Sequence, residues 1–149
     1  MACDYFTHKG VQFPCLDYSP EVLSNVENEF QVRDNDVFNI TYPKSGTNWM
    51  AEILSLIRCD GDPGWVRSVL NWERAPWVEN RTGLEAALKY PPPRLLSSHL
   101  PVQLFPKSLQ GSKAKVRGLC VGRGVNPGLL LGVSYSNVGV WKSSQRGAA

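Results

Sequence analysis

A short strand leads through a tight loop directly into an amphipathic helix, and this unit constrains the fold more than any other part of the sequence. Residues 37–41 are mostly β-favouring and predict a strand. Residues 42–47 predict a loop, because Pro43 interrupts a strand and Gly46 permits a left-handed turn. Residues 48–58 have the apolar spacing of a helix, which places on one side Trp49, Ile53, Leu56 and Ile57. A strand that turns directly into a helix is the first half of an α/β unit.

The rest of the sequence continues the alternation of strand and helix. Residues 1–20 are predicted to be turn-rich, and residues 65–77, which contain three tryptophans, are predicted to be irregular. The further predicted elements are a helix over 22–32, a helix around 84–88, a strand over 94–100 and a strand that begins over 113–116. This order predicts an α/β domain with a parallel sheet and helices on both faces. In such sheets ligands bind beyond the carboxyl ends of the strands.

The loop between the first of these strands and its helix is suited to binding an anion. A helix N-terminus offers unpaired backbone N–H groups and the positive end of the helix dipole. Lys44 adds a positive charge, and Gly46 lets the backbone approach a ligand closely. Further side-chain donors are Ser45, Thr47 and Asn48. The loop is not a Walker A motif, which needs a glycine-rich run before its lysine. A capped helix with a solvated lysine remains open as an alternative at this point.

The same loop carries a family resemblance. The run over residues 41–49, Thr-Tyr-Pro-Lys-Ser-Gly-Thr-Asn-Trp, resembles the 5′-phosphosulfate-binding loop of the cytosolic sulfotransferases. Further matches follow at the family's spacing within residues 1–116: Gly61-Asp62-Pro63, Trp72 to Trp77, Pro93-Arg94, Ser97 to Pro101 and Ser112 to Val116. Thr47-Asn48 and the two serines before His99 resemble the hydroxysteroid (alcohol) branch. The implied fold is a truncated, parallel-sheet, P-loop-like sulfotransferase fold.

The resemblance implies a sulfate donor, 3′-phosphoadenosine-5′-phosphosulfate (PAPS), as co-substrate, and it implies no metal. Lys44 would stabilise the charge that grows on the bridging oxygen as the sulfuryl group leaves the phosphate. Trp49 would pack beside the adenine, and the other residues of the loop would hold the 5′-phosphate. The residues implied to bind the donor are Lys44, Ser45, Gly46, Thr47, Asn48 and Trp49.

His99 is the implied general base that takes the proton of the acceptor hydroxyl. The chemistry agrees, because histidine is the natural base near neutral pH and His99 ends a predicted strand on the expected ligand side. Pro14, Trp72 and Trp77 match family positions that line an apolar pocket for an alcohol or steroid acceptor. Tryptophans are also common core anchors, and the sequence does not separate these two roles.

Charge and composition argue against other classes of function. The net charge of +3 is too small to indicate nucleic acid or a membrane surface as a partner. The four cysteines are scattered, and no histidine stands at metal-ligand spacing from them. The sequence shows neither a signal peptide nor an apolar run of the ~20 residues that span a bilayer. These features predict a soluble, cytoplasmic protein.

The resemblance ends at residue 116. Residues 117–149 contain 7 of the 13 glycines and no acidic residue, and we predict that they form a separate, disordered tail. Neither the family's 3′-phosphate-binding residues nor its dimer motif is recognisable in this sequence. Three functions therefore stay open: a working alcohol sulfotransferase, an impaired truncated form of one, and a non-catalytic isoform that acts as an interaction or decoy subunit.

Overall fold

A computed structural model describes residues 4–119 of the chain. The predicted tail lies largely outside the described residues. The strands are β1 (Tyr5–His8), β2 (Val11–Pro14), β3 (Val37–Thr41), β4 (Leu95–Ser98) and β5 (Lys115–Leu119). The helices are α1 (Pro20–Asn28), α2 (Thr47–Arg58), α3 (Pro63–Ser68), α4 (Asn71–Arg74) and α5 (Arg81–Lys89). Two 3₁₀ turns, Val102–Leu104 and Lys107–Leu109, connect β4 to β5.

Three parallel strands form the central sheet in the order β4-β3-β5. All five residues of β3 are buried, as expected for the middle strand of a parallel sheet. Ile40 lies opposite Ser98 of β4 and opposite Gly118 of β5. The carboxyl ends of β3 and β4 therefore meet at one edge of the sheet. The predicted α/β fold with a parallel sheet is confirmed.

Helices cover both faces of this sheet. On one face Phe38, Ile40 and Leu96 pack into a core that includes buried residues of α1 and α5. On the other face Val37 and Leu95 pack against α2. Successive residues of a strand point to opposite faces, so the alternation along β3 separates the two cores.

The buried side of α2 differs from the predicted one. Thr47, Ala51, Leu54 and Ser55 face the protein interior. Trp49 and Ile57, which belong to the predicted apolar side, are 69% and 47% exposed. Small side chains at positions 51 and 55 let the helix approach the sheet closely, and this packing overrides the larger apolar area of the other side.

Three other segments also differ from the predictions. Residues 5–14 form an antiparallel hairpin within the stretch predicted to be turn-rich, with Lys9 and Gly10 at positive φ in its turn. The stretch 65–77, predicted to be irregular, contains the end of α3 and all of α4. Strand β5 begins at Lys115 and continues to Leu119, three residues beyond the predicted end of the family match.

A buried ion pair joins the starts of β3 and β4. Arg94 donates to Asp36 through Nε at 2.8 Å and through Nη2 at 2.6 Å. The same guanidinium donates to the carbonyl oxygens of Ala87 and Gln31 and lies over the ring of Phe30. Both charged side chains are at most 1% exposed. This pair connects the sheet, α5 and the segment that follows α1.

No helix within residues 4–119 is long and apolar enough to cross a membrane.

Candidate functional site

The loop between β3 and α2 ends in a glycine that begins the helix. Gly46 is the N-cap of α2 at φ 93°, a left-handed conformation that glycine adopts without strain. No side chain caps the helix, and its first backbone hydrogen bond runs from the Met50 N–H to the Gly46 carbonyl oxygen. The N–H groups before Met50 therefore have no intrahelical acceptor and are oriented toward the loop. This arrangement suits an anionic group at the positive end of the helix dipole.

Buried side chains fix the position of this helix start relative to β3. The Thr41 and Thr47 hydroxyl oxygens are 2.5 Å apart, and Asn39 donates from Nδ2 to the Thr47 carbonyl oxygen at 3.0 Å. Ser45 donates from Oγ to the Tyr42 carbonyl oxygen at 2.5 Å, which closes the turn. Lys44 is at φ 65° with an exposed side chain that forms no ion pair within residues 4–119. The loop is thus built on polar contacts that leave the lysine accessible.

His99 follows the last residue of β4 and contacts the end of β3. Its Nδ1 lies 2.7 Å from the Thr41 carbonyl oxygen and 3.3 Å from the Thr41 hydroxyl. A carbonyl oxygen only accepts hydrogen bonds, so Nδ1 carries the proton and Nε2 keeps its lone pair when the ring is neutral. Trp77 packs on the imidazole with ring centroids 4.3 Å apart. The ring is therefore held in the tautomer that a general base requires.

Burial also favours the neutral, unprotonated form of the His99 imidazole. Desolvation holds the pKa of His99 below its ordinary value of 6.5, and the hydrogen bond to Thr41 opposes that shift only in part. The imidazole is therefore neutral at pH 7.

We expect the ring of His99 to titrate below pH 6.5 and to be Nδ1-protonated when neutral. The folded state binds the proton more weakly than the unfolded chain, so the stability contributed by the neutral ring is lost as the pH falls from about 6.5 through the folded pKa. Two-dimensional NMR of histidine-labelled protein measures both properties. A His8→Gln variant assigns the signals, because His8 and His99 are the two histidines of the sequence. A neutral ring protonated at Nε2 would contradict this geometry.

A buried carboxyl group completes the site, and sequence reasoning missed it. Glu79 is 0% exposed and accepts a hydrogen bond from the His99 backbone N–H to Oε1 at 2.6 Å. Burial raises the pKa of Glu79 to about 7, and hydrogen bonds to its carboxylate limit the rise. Its only sequence signal is a single acidic residue directly after the apolar pair Trp77-Val78. A lone carboxylate in that position is usually a solvated loop residue.

The predicted site residues fall into three groups. Thr47, Trp77 and His99 are brought together with the end of β3 by the contacts described above. Ser45 is buried in the loop, while Lys44, Gly46, Asn48 and Trp49 are exposed around it. The other two lie outside the loop: Trp72 is 60% exposed on α4, and Pro14 is half-buried at the end of β2. Residues 4–119 contain no group of three or more histidine, cysteine or acidic side chains arranged to hold a metal ion.

Comparison with known proteins gives consistent matches. The sulfotransferase domain family model matches residues 34–125. Sulfotransferase 2B1 from Mus musculus is 55% identical over 120 residues, which covers 80% of this chain and 35% of the mouse protein. The 3-beta-hydroxysteroid sulfotransferase from Cavia porcellus is 51% identical over 108 residues, which covers 72% of this chain and 38% of that protein. The crystal structure of mouse sulfotransferase SULT7A1 complexed with PAP superimposes with a TM-score of 0.58 at 22% identity, over 78% of this chain and 39% of that one.

The chain spans less than half the length of each of these proteins. The matched part contains the loop, His99 and Glu79. It also extends past residue 116, where the motif resemblance ends.

Proposed function

The chain belongs to the sulfotransferase family, and we propose that residues 1–116 form the part of a sulfotransferase that binds the 5′ end of PAPS and accepts a proton from an alcohol. A hydroxysteroid is the proposed class of acceptor, supported by the Thr47-Asn48 and Ser-Ser-His patterns of the hydroxysteroid branch. The relative from Cavia porcellus is a hydroxysteroid sulfotransferase by name, which agrees with this choice.

The observation that carries the proposal is the adjacency of an anion-binding loop and a neutral imidazole. The loop follows β3 and His99 follows β4, and these strands are parallel neighbours. The hydrogen bond from His99 Nδ1 to the Thr41 carbonyl oxygen connects the ends of these two strands directly. Transfer between a bound anionic donor and an acceptor hydroxyl needs both functions side by side.

Each part of the loop has a defined role in this proposal. The open N–H groups at the start of α2, with the Ser45, Thr47 and Asn48 side chains, hold the 5′-phosphate group. The exposed Lys44 ammonium faces the charge that develops on the bridging oxygen. Exposed Trp49 is available to pack against the adenine. PAPS, when bound, supplies an activated sulfuryl group with a phosphate as its leaving group.

The acceptor side rests on His99 and its apolar surroundings. Nε2 of the neutral ring takes the hydroxyl proton, while the Thr41 carbonyl oxygen stabilises the imidazolium that forms. Trp77 gives the acceptor an apolar wall next to the base. Trp72 and Pro14 are proposed to contribute further apolar surface for a steroid.

We expect the 149-residue chain to bind 3′,5′-ADP weakly and to turn over negligibly. The motifs recognisable in it belong to the 5′ side of the donor. Each missing charge-assisted hydrogen bond costs about 1.5–3 kcal/mol. The loss of two such contacts to the 3′-phosphate weakens binding by roughly two to four orders of magnitude. Calorimetry with 3′,5′-ADP, using mouse Sulfotransferase 2B1 as the reference, measures the affinity. Transfer of labelled sulfate from PAPS to a hydroxysteroid measures turnover.

Lysine variants separate specific from nonspecific binding of the nucleotide. Lys44→Ala should remove the residual binding, whereas Lys113→Ala, at an exposed lysine before β5, should leave it unchanged. Equal binding by both variants and the unmodified chain would contradict the proposed role of the loop. Binding as tight as that of the reference, with turnover at a comparable rate, would contradict the expected weakness.

A further inference from the structure

The segment before α5 extends the sheet beside β4. Trp77 forms a parallel bridge with Ser97: the Ser97 N–H donates to the Pro76 carbonyl oxygen at 2.9 Å, and the Val78 N–H donates to the Ser97 carbonyl oxygen at 3.1 Å. The next donor on this side of β4 is the His99 N–H. It donates to the Glu79 carboxyl group rather than to a backbone carbonyl. The last hydrogen bond on this side of β4 is therefore accepted by a side chain, that of Glu79.

Trp77 and Glu79 both act on the same histidine. Residues two apart along an extended segment point to the same side. From that side Trp77 packs on the imidazole ring, and Glu79 accepts the hydrogen bond of the main chain that carries the ring. The Thr41 carbonyl oxygen holds the ring from β3. His99 is therefore fixed at three points, and Glu79 is the one that sets its backbone.

The burial of the Glu79 carboxyl group carries a desolvation cost. Its Oε2 atom is buried and has no hydrogen-bond partner within residues 4–119. Burying an incompletely paired carboxyl group is unfavourable, because its charged form loses its hydration. Tyr18, in the connection between β2 and α1, is also close enough for the charge of Glu79 to help raise the tyrosine pKa to about 12, after burial as the larger cause.

We propose that Glu79 is a positioning residue for His99, whose carboxyl group holds the main chain at the end of β4 so that the imidazole stays aligned on Thr41. The inference rests on the proposed function for its catalytic meaning. Its geometry is testable without turnover or nucleotide binding.

The test is NMR of the histidine-labelled 149-residue chain and of variants at position 79. In the unmodified chain the amide proton of His99 should move downfield with a midpoint near pH 7, because its acceptor then ionises. Glu79→Gln keeps an acceptor oxygen, so this titration should disappear while the ring stays protonated at Nδ1. Glu79→Leu removes the acceptor. The solvent exchange of the Nδ1 proton should then rise roughly tenfold, the factor that corresponds to one hydrogen bond.

Glu73 provides the matched control, since it is an exposed glutamate on α4. Glu73→Gln and Glu73→Leu should leave both His99 signals unchanged. An unmodified chain whose His99 amide proton exchanges with solvent as fast as an unprotected amide would overturn the proposal even if the position-79 variants fail to fold, because the hydrogen bond to Glu79 would then be absent. A folded Glu79→Leu variant with unchanged ring signals would also overturn it. The expected His99 signals in a chain whose 3′,5′-ADP binding does not depend on Lys44 would count against the proposed function and leave the positioning role standing.

Discussion

Replacement of His99 by alanine is expected to lower sulfuryl transfer by roughly 10²–10⁴-fold, the usual contribution of a general base. The host for this measurement is a chimera in which residues 1–119 precede the part of mouse Sulfotransferase 2B1 that follows the matched region. Binding of 3′,5′-ADP should be nearly unchanged, because the 5′-phosphate contacts come from the loop after β3. Initial rates with PAPS and a hydroxysteroid, together with calorimetry of 3′,5′-ADP, separate the two effects.

The other histidine of the sequence serves as the control for this prediction. His8 ends β1 in the hairpin, so His8→Ala should retain transfer in the same chimera. Parallel losses of transfer and nucleotide binding in the His99 variant would identify a structural histidine. Full transfer without His99 would remove the residue from the mechanism.

Removal of Asp36 should cost about 3–5 kcal/mol of the free energy of unfolding, because it leaves the buried Arg94 guanidinium without its counter-charge. Urea unfolding of the 149-residue chain and of Asp36→Ala, followed by circular dichroism, measures the difference. A loss of that size is a large share of the 5–15 kcal/mol typical of a domain, so the variant is expected to unfold at a much lower urea concentration than the unmodified chain.

An ion pair whose lysine is exposed, and whose buried glutamate keeps Lys9 as a second partner, gives the contrast for this result. Lys107 is 67% exposed beside Glu27 at 3.5 Å, and Lys107→Ala should cost only about 0–1 kcal/mol. The double variant Asp36→Leu with Arg94→Met should be more stable than Asp36→Ala, since it removes both buried charges. A cost for Asp36→Ala as small as that of Lys107→Ala would show that the buried pair does not hold the two strands together.

The sequence predicted the centre of the fold well and its periphery poorly. The bounds of β3 are those predicted, because a short β-favouring run between turn residues and Pro43 leaves few alternatives. The hairpin of β1 and β2 was missed, since its four-residue strands are too short to show a period. The buried side of α2 was wrong because side-chain size decides how closely a helix approaches a sheet, and apolar periodicity does not report that distance.

Only those residues of the candidate site that lie in local sequence motifs were predicted. The loop and His99 stand in recognisable runs of sequence, and the parallel order of strands brings them to one edge. Glu79 lies in no such run. Its significance comes from a contact with a residue 20 positions later and from complete burial, both of which are properties of the packed chain. The roles assigned to these residues stay predictions until the variants are measured.

The order of strands in the sheet also determines when the sheet can form during synthesis. The ribosome makes β3 early, yet its two neighbours follow much later, and Val37 pairs with Lys115 nearly eighty residues downstream. Pairings over such a distance carry a large loop-closure entropy and belong to slow, high-contact-order folding, on the order of milliseconds to seconds. Until β4 and β5 have emerged, β3, all of whose residues are buried in the folded protein, lacks partners on both sides. We therefore expect the nascent chain to be prone to aggregation during the interval in which β3 is unpaired.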